Sequence, residues 1–199
     1  MVFRCDGDIV VKAIRNTVDY TEYIMLQYLE KHKPTISAPR PLELLHINNV
    51  FLIFMSYIPE QTLVDVWLEL DIAQKRLVQE QLGQILTDLR SLPHLDRMLL
   101  GGVGSEDCKN VRSTLFQQIQ CIFTHGDLRP DNITIKACDK EIQVTGLLDW
   151  EYSRFYPEYY KLVKYTNGLS LSEDDDWCLF MLKCILLECY AWWWLLDNV

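Results

Sequence analysis

His125, Asp127 and Asn132 fall within eight residues in the stretch Phe123-Thr-His-Gly-Asp-Leu-Arg-Pro-Asp-Asn-Ile-Thr-Ile135, and a further carboxylate, Asp149, follows in Leu147-Leu-Asp-Trp150. Asn132 and Asp149 offer hard oxygen atoms, the kind of ligand that holds Mg²⁺ against phosphate. Asp127 offers a carboxylate able to orient a hydroxyl. One acid for an acceptor and two oxygen donors for a metal are the smallest set for phosphoryl transfer, a chemistry that runs on positioning and charge neutralisation. A His-Gly-Asp triplet alone is more often a turn, in which glycine takes unusual backbone angles and aspartate bonds its own backbone. Here the joint spacing carries the reading: His-x-Asp, then Asn five residues after Asp127, then a strand pair, then Asp149.

Holding such groups requires rigid elements on both sides of a polar loop. The apolar run Ile119–Phe123 precedes the loop, while Ile133–Ala137 and Ile142–Leu148 read as paired strands turned by Asp139-Lys-Glu. Near the start, Val2–Cys5 and Ile9–Ile14 are β-prone and joined by Asp6-Gly7-Asp8. Lys12 lies in the second of these runs. From Tyr20 to His32, the residues Ile24, Met25, Tyr28 and Leu29 recur at helical spacing, with Glu22 in the first turn, where the helix dipole favours a carboxylate. Taken alone, Lys12 reads as a strand lysine facing water and Glu22 as a plain helix-start acid.

Pro34, Pro39 and Pro41 end that helix and lead into a strand at Leu42–Ile47. Asn48-Asn49 turns the chain, and Val50–Ile58 returns as a nearly continuous apolar strand, a pattern expected of burial on both faces. Thr62–Leu70 reads as a short helix. Asp71-Ile-Ala-Gln74 is a capping box that opens a longer one, with Ile72, Leu77, Val78, Leu82, Ile85, Leu86 and Leu89 as its apolar face and Pro93 as its stop. Gly101-Gly-Val-Gly104 lacks the Lys-Ser/Thr of a phosphate-binding P-loop and reads as an ordinary loop. Pro157 suits the first position of a helix carrying Tyr160, Leu162 and Val163. Ser172-Glu-Asp-Asp175 suits the cap of a final helix with Trp177, Phe180, Met181, Cys184, Ile185 and Leu187 in the core. Its acidic run Glu173–Asp176 fits either a helix start or attraction of a cationic substrate.

Composition narrows the class. A chain of 199 residues, 49% hydrophobic and 24% charged, is globular rather than disordered and long enough for a sizeable core. A net charge of −9 argues against a nucleic-acid partner and against an anionic membrane surface, both of which demand a basic face. Nucleotide binding remains open, because a metal and a few local cations suffice for it. The seven cysteines form no Cys-x-x-Cys pair, which fits a reduced, cytoplasmic setting better than zinc or disulfides. No apolar leader opens the chain. The apolar run Leu179–Leu196 is interrupted by Lys183 and Glu188 and reads as a buried helix rather than a membrane span.

The run His125-Gly-Asp-Leu-Arg-Pro-Asp-Asn-Ile133 followed by Leu148-Asp-Trp-Glu151 resembles the aminoglycoside phosphotransferase / choline kinase-like family, and Phe155-Tyr-Pro-Glu-Tyr-Tyr160 is similar to a segment of its fungal members. The resemblance implies an α+β, protein-kinase-like two-lobe fold. A reduced N-terminal nucleotide-binding lobe and hinge would span 1–58, and a mainly helical lobe with the catalytic loop 59–199. It implies an ATP- and Mg²⁺-dependent phosphotransferase acting on a hydroxyl of a small molecule. Asp127 would be the catalytic base, Asn132 and Asp149 the metal ligands, and His125 a structural residue of the catalytic loop. Lys12 would contact the nucleotide phosphates, held by Glu22, and the backbone of Ser56, Tyr57 and Ile58 would receive the adenine ring. Ser153-Arg154 stands where many fungal members have a small Ala-Gly pair. Only one strand precedes Lys12, and the interval Asp96–Ile122 is shorter than the family's substrate-site insertion. These departures keep a second reading open, a truncated, pseudokinase-like binding protein that folds without turnover.

Overall fold

In the computed structural model, which describes residues 1–5, 7–15, 20–93, 121–138, 141–157 and 176–184, the β-prone runs at the N-terminus form one antiparallel sheet. Its strands are β1 (Val2–Arg4), β2 (Ile9–Arg15), β3 (Pro41–Ile47) and β4 (Val50–Ser56), in the order β1-β2-β4-β3. The β3–β4 turn runs through Asn48 and Asn49 at φ 48° and 63°, left-handed angles that asparagine tolerates better than most residues. Helix α1 (Thr21–His32) packs Met25, Leu26 and Leu29 into the same core as Ile53 and Met55 of β4. Residues paired across antiparallel strands share a face, so Lys12, opposite Ile53, is set on this inner side.

Two-sided burial of 50–58 is not what the sheet shows. The strand ends at Ser56, and only Ile53 and Met55 are buried; Leu52 and Phe54, on the other face, are half-buried. That face also carries exposed Phe3, Leu45 and Ile47, the arrangement of an antiparallel sheet with one solvated side.

The expected helix at Thr62–Leu70 is instead a short strand, β5 (Gln61–Thr62), followed by two single 3₁₀ turns, Leu63–Asp65 and Trp67–Glu69. Asp65 folds back onto Thr62, its carboxylate accepting from the Thr62 amide at 3.2 Å and hydroxyl at 2.6 Å, which closes the first turn after three residues. Leu63 and Trp67 are both buried from these turns. The longer helix, α2 (Ile72–Arg90), starts at the Asp71–Gln74 capping box. Val78, Leu82, Leu86 and Leu89 are its buried stripe, whereas Ile72 and Leu77, expected on that face, are 65% and 42% exposed.

β7 (Ile133–Cys138) and β8 (Glu141–Leu147) form the hairpin after the 125–132 loop, with β5 on the other side of β7. Gln81 of α2 fastens this hairpin to the helix: its amide donates to the Ile142 carbonyl at 2.9 Å and accepts from the Val144 N–H at 2.8 Å. β6 (Cys121–Thr124), which leads into the 125–132 loop, pairs with β9 (Arg154–Pro157). Pro157 therefore lies in a strand, and the helix expected to carry Tyr160, Leu162 and Val163 falls outside the described residues. Buried Phe155, stacked edge-on against Phe123 with ring centroids 5.3 Å apart, draws this segment into β pairing, and a proline is tolerated at a strand's end.

Helix α3 (Trp177–Cys184) begins at Asp176, which is engaged in the fold: it accepts from Lys75 at 2.8 Å and from the Trp67 indole at 3.0 Å. Asp176 thus makes a half-buried tie between α2 and α3, while the rest of the acidic run, 173–175, lies outside the described residues. The loop 101–104, the residues 158–175 and the chain after 184 lie outside the described residues, as do the expectations placed on them. Among the described residues no helix is long and apolar enough to cross a membrane.

Candidate active site

The 123–135 stretch is held from below by its histidine. His125 is fully buried between β6 and the turn after β8; its Nε2 donates to the Leu148 carbonyl at 2.9 Å, and its Nδ1 accepts from the Asp127 N–H at 3.3 Å. The tautomer follows from these two partners. Ser153 donates to the His125 carbonyl at 2.9 Å, so the loop and the 149–153 turn are tied at both ends of one residue. Gly126, at φ 84°, lies so close to that turn that a Cβ there would sit 2.1 Å from the Tyr152 carbonyl oxygen. Only glycine meets both demands.

A 3₁₀ turn at Pro130–Asn132 then brings Asn132 back onto Asp127. The Asn132 amide donates to the Asp127 carbonyl at 2.8 Å and to its carboxylate Oδ2 at 3.1 Å. Arg129 approaches the same oxygen, with Nε at 3.2 Å. Asn132 in turn accepts from the Leu148 N–H at 2.8 Å through its backbone, which fixes Asn132 beside the segment that carries Asp149. Asp149 itself sits at φ 60°, a left-handed angle uncommon for a residue other than glycine.

Lys12 gathers the acidic groups. Its ammonium lies 2.8 Å from Glu22 Oε2, 2.6 Å from Asp149 Oδ1 and 2.9 Å from Glu151 Oε2. Four residues from β2, α1 and the turn after β8 thus meet at one point. Glu22 also accepts from the Trp150 N–H at 3.2 Å, which binds α1 directly to the turn. Burial by itself drives the lysine towards losing its proton. The charge of Glu22 and the hydrogen bonds to Asp149, Glu22 and Glu151 outweigh that, and its pKa moves above the usual lysine range. Glu22, 2% exposed, is shifted upward too, chiefly by burial and also by the charge of Asp149, against the pull of Lys12.

The carboxylate oxygens of Glu22, Asp149 and Glu151 lie within 4.8 Å of one another. Hard oxygen donors so close together, with a cation already seated among them, suit a divalent ion such as Mg²⁺. The exposed Tyr152 overlooks the same acidic mouth; its hydroxyl is pushed above the usual phenol range, first by the charge of Glu151 and also by Asp127 and Asp149.

At the connecting segment the amides of Ser56 and Tyr57 are already used, donating to the Arg40 carbonyl at 2.9 Å and the Asp8 carbonyl at 2.7 Å. Ile58 packs towards Gly146 of β8, where a Cβ would meet its Cδ1 at 2.8 Å. Sequence reasoning assigned no role to Glu151, Arg129, Gly126 or Tyr152. The +2 spacing of Glu151 from Asp149 and the +2 spacing of Arg129 from Asp127 were the available signals.

The family described as "Phosphotransferase enzyme family" matches residues 106–177. No curated protein matches the chain. Among solved structures, the GDP and kanamycin complex of APH(2")-IIia is similar at TM-score 0.60 and 16% identity, over 90% of this chain and 70% of that one. APH(3'')-Id from Streptomyces rimosus, in complex with ADP and streptomycin, is similar at TM-score 0.58 and 16% identity, over 96% of this chain and 82% of that one. A thermostable mutant of APH(4)-Ia in ternary complex with AMP-PNP and hygromycin B gives TM-score 0.57 and 10% identity, over 83% of this chain and 66% of that one. The fold is therefore α+β and protein-kinase-like, and the resemblance of the catalytic stretch to the aminoglycoside phosphotransferases holds for the segment that the family matches.

Proposed function

We propose that this chain, with its kinase-like fold and phosphotransferase-type catalytic segment, is a nucleotide- and Mg²⁺-dependent kinase that phosphorylates a hydroxyl group of a small molecule. The observation that carries the reading is the meeting of Lys12, Glu22, Asp149 and Glu151 at one point, next to a loop that orders Asp127 through Asn132. We take 1–58 as the nucleotide-side lobe and 59–199 as the lobe of the catalytic loop, with the cleft between them as the site.

In this reading Asp127 accepts the hydrogen bond of the acceptor hydroxyl and orients its oxygen. Asn132, whose amide nitrogen is committed to Asp127, presents its carbonyl oxygen to the metal, and Asp149 presents a carboxylate. Bound Mg²⁺ would neutralise charge on the nucleotide phosphates. Lys12, held by Glu22, turns from Asp149 and Glu151 towards phosphate oxygens once a nucleotide is present. His125 acts through its hold on Leu148 and the catalytic loop rather than on substrate. Among Ser56, Tyr57 and Ile58, we assign the amide of Ile58 to an adenine edge, since the other two donate within the protein and the Ile58 amide has no backbone partner among the described residues. We place this activity in the reducing cytoplasm, which suits a chain whose seven cysteines form no Cys-x-x-Cys pair.

The test is nucleotide consumption by the purified chain, first alone and then with a panel of amino alcohols, sugars and aminoglycosides. Asp127→Asn should retain the fold and lower kcat by ~10²-fold or more, the usual scale of general-base loss. Turnover that survives this change would remove Asp127 from the mechanism.

A further inference from the structure

A second concave surface forms where α1 gives way to β3. Pro34 follows the end of α1, and the Lys33 carbonyl accepts from the Ile36 N–H at 3.0 Å, closing a tight turn. Ile36 is carried inward, 3% exposed, while Thr35 and Ser37 on either side of it stay at the surface. Helix α2 contributes Gln81, Gln84, Ile85 and Asp88, which recur at helical spacing beside its buried stripe. With Val144 of β8 these residues line a cavity of about 260 Å³. None of the groups gathered around Lys12 or Asp127 belongs to it.

The polar groups of this cavity are unevenly engaged. Gln81 is committed to the hairpin through Ile142 and Val144. The hydroxyls of Thr35 and Ser37 and the amide of Gln84 have no side-chain hydrogen bond among the described residues. Asp88 is the one charged side chain of the lining; its carboxylate is 41% exposed and meets Lys33 at the long distance of 3.8 Å. An exposed pair of that length contributes little, so exchanging Lys33 for another cation costs little. Ile36, Ile85 and Val144 add an apolar wall. A carboxylate, several neutral oxygens and a hydrocarbon surface in one cavity suit an ammonium group on a short carbon chain. Its N–H donors bond Asp88 and the neutral oxygens, and its carbons leave water. An anion would meet Asp88 and find no cation in the lining.

We propose that this cavity is a binding site for a small organic ammonium ion, separate from the candidate active site. Its volume falls below the ~300 Å³ at which pockets for drug-sized molecules begin, which fits an amine of a few carbons. The position gives an occupant contact with both halves of the catalytic apparatus. Residues 33–37 follow the helix that carries Glu22, and the Ser37 carbonyl accepts from the N–H of Leu147, two residues before Asp149, at 2.9 Å. The proposal does not depend on the kinase reading, since the cavity shares no residue with that site.

The test titrates isobutylamine into the ¹⁵N-labelled full chain at pH 7, where such an amine is protonated, and follows the amide shifts by NMR. Isobutanol is the uncharged counterpart. The site predicts saturable shifts centred on 35–37, 81–88 and 144 with millimolar affinity. Binding should be at least about tenfold weaker for isobutanol and for the amine on Asp88→Asn, the scale of a lost charge-assisted contact. Gln84→Lys, which sets a cation on the same wall, should exclude the amine as well. Both positions lie on the outer side of α2, and the unliganded spectra check that the variants fold. Equal binding of isobutanol, or amine binding undiminished in either variant, would leave a crevice that does not read charge and would overturn the proposal. Shifts centred on Glu22, Asp127 and Asp149 would place the amine among the other carboxylates and overturn it too, as would the absence of any saturable shift.

Discussion

At the scale of single residues, the account turns on Lys12 and the carboxylate it anchors. Glu22 is 2% exposed and reaches charge compensation through that ammonium, so removing the lysine strands a buried carboxylate. Breaking one side of a buried pair commonly costs about 3 kcal/mol or more, whereas removing both charges together costs less. Lys12→Met should therefore lower urea-unfolding stability by about that amount at pH 8, and adding Glu22→Gln should recover part of it. The pH dependence has a sign. The raised lysine pKa contributes stability that is complete below the ordinary value near ~10.4 and is lost only as pH climbs through the higher folded value. The raised Glu22 pKa works the other way: the folded state takes up its proton first, so stability is gained as pH falls towards the ordinary glutamate range. The cost of Lys12→Met should shrink between pH 8 and pH 5, because a protonated Glu22 no longer needs the lysine. The same cost at both values would mean that Glu22 is not the group left stranded.

At the scale of elements, the 149–153 turn is what brings the site together, and it explains which parts were legible in the sequence. The motif residues His125, Asp127, Asn132 and Asp149 could be read because their spacing is local and the hairpin between them has a plain alternation. The contribution of Glu151 could not, because its aim at Lys12 depends on the left-handed backbone of Asp149 and on Trp150 donating to Glu22 across the fold. Pro157 misled for a related reason: β9 owes its conformation to pairing with β6 and to the Phe123–Phe155 contact, neither of which a local helix-start signal can weigh. The segment 62–70 misled because Asp65 folds back onto Thr62 and closes the first turn early, and Leu63 and Trp67 reach the core from 3₁₀ turns instead of a helix. The close fit of Gly126 under Tyr152 gives the test at this scale. Gly126→Ala meets the Tyr152 carbonyl and adopts an angle that disfavours alanine, so it should displace the turn and cost more than ~2 kcal/mol in thermal or urea unfolding. Gly83→Ala is the control: it lies inside α2 with nothing within 4 Å of the added carbon and should be neutral or stabilising by about 0.5–1 kcal/mol. Equal effects at the two positions would show that the loop and the turn are not locked together.

At the scale of the molecule, the site is assembled from elements far apart in the chain: β2 supplies Lys12, α1 supplies Glu22, and the turn after β8 supplies Asp149 and Glu151. A ligand bound there touches elements on both sides of the connecting segment, so its binding energy must appear as stability of the whole fold. The most direct measurement is thermal unfolding of the wild-type chain and of Asp149→Asn with ATP, in the presence of Mg²⁺ or of EDTA. At a nucleotide concentration about a hundred times the dissociation constant, linkage gives about 2.7 kcal/mol, or a rise of roughly 5 °C or more for a chain of this size. The account predicts that rise for the wild type with Mg²⁺ and ATP together, a smaller one with EDTA, and no difference between Mg²⁺ and EDTA for Asp149→Asn. A melting temperature unmoved by ATP in either condition would contradict the kinase reading and leave the fold as that of a protein that binds something else.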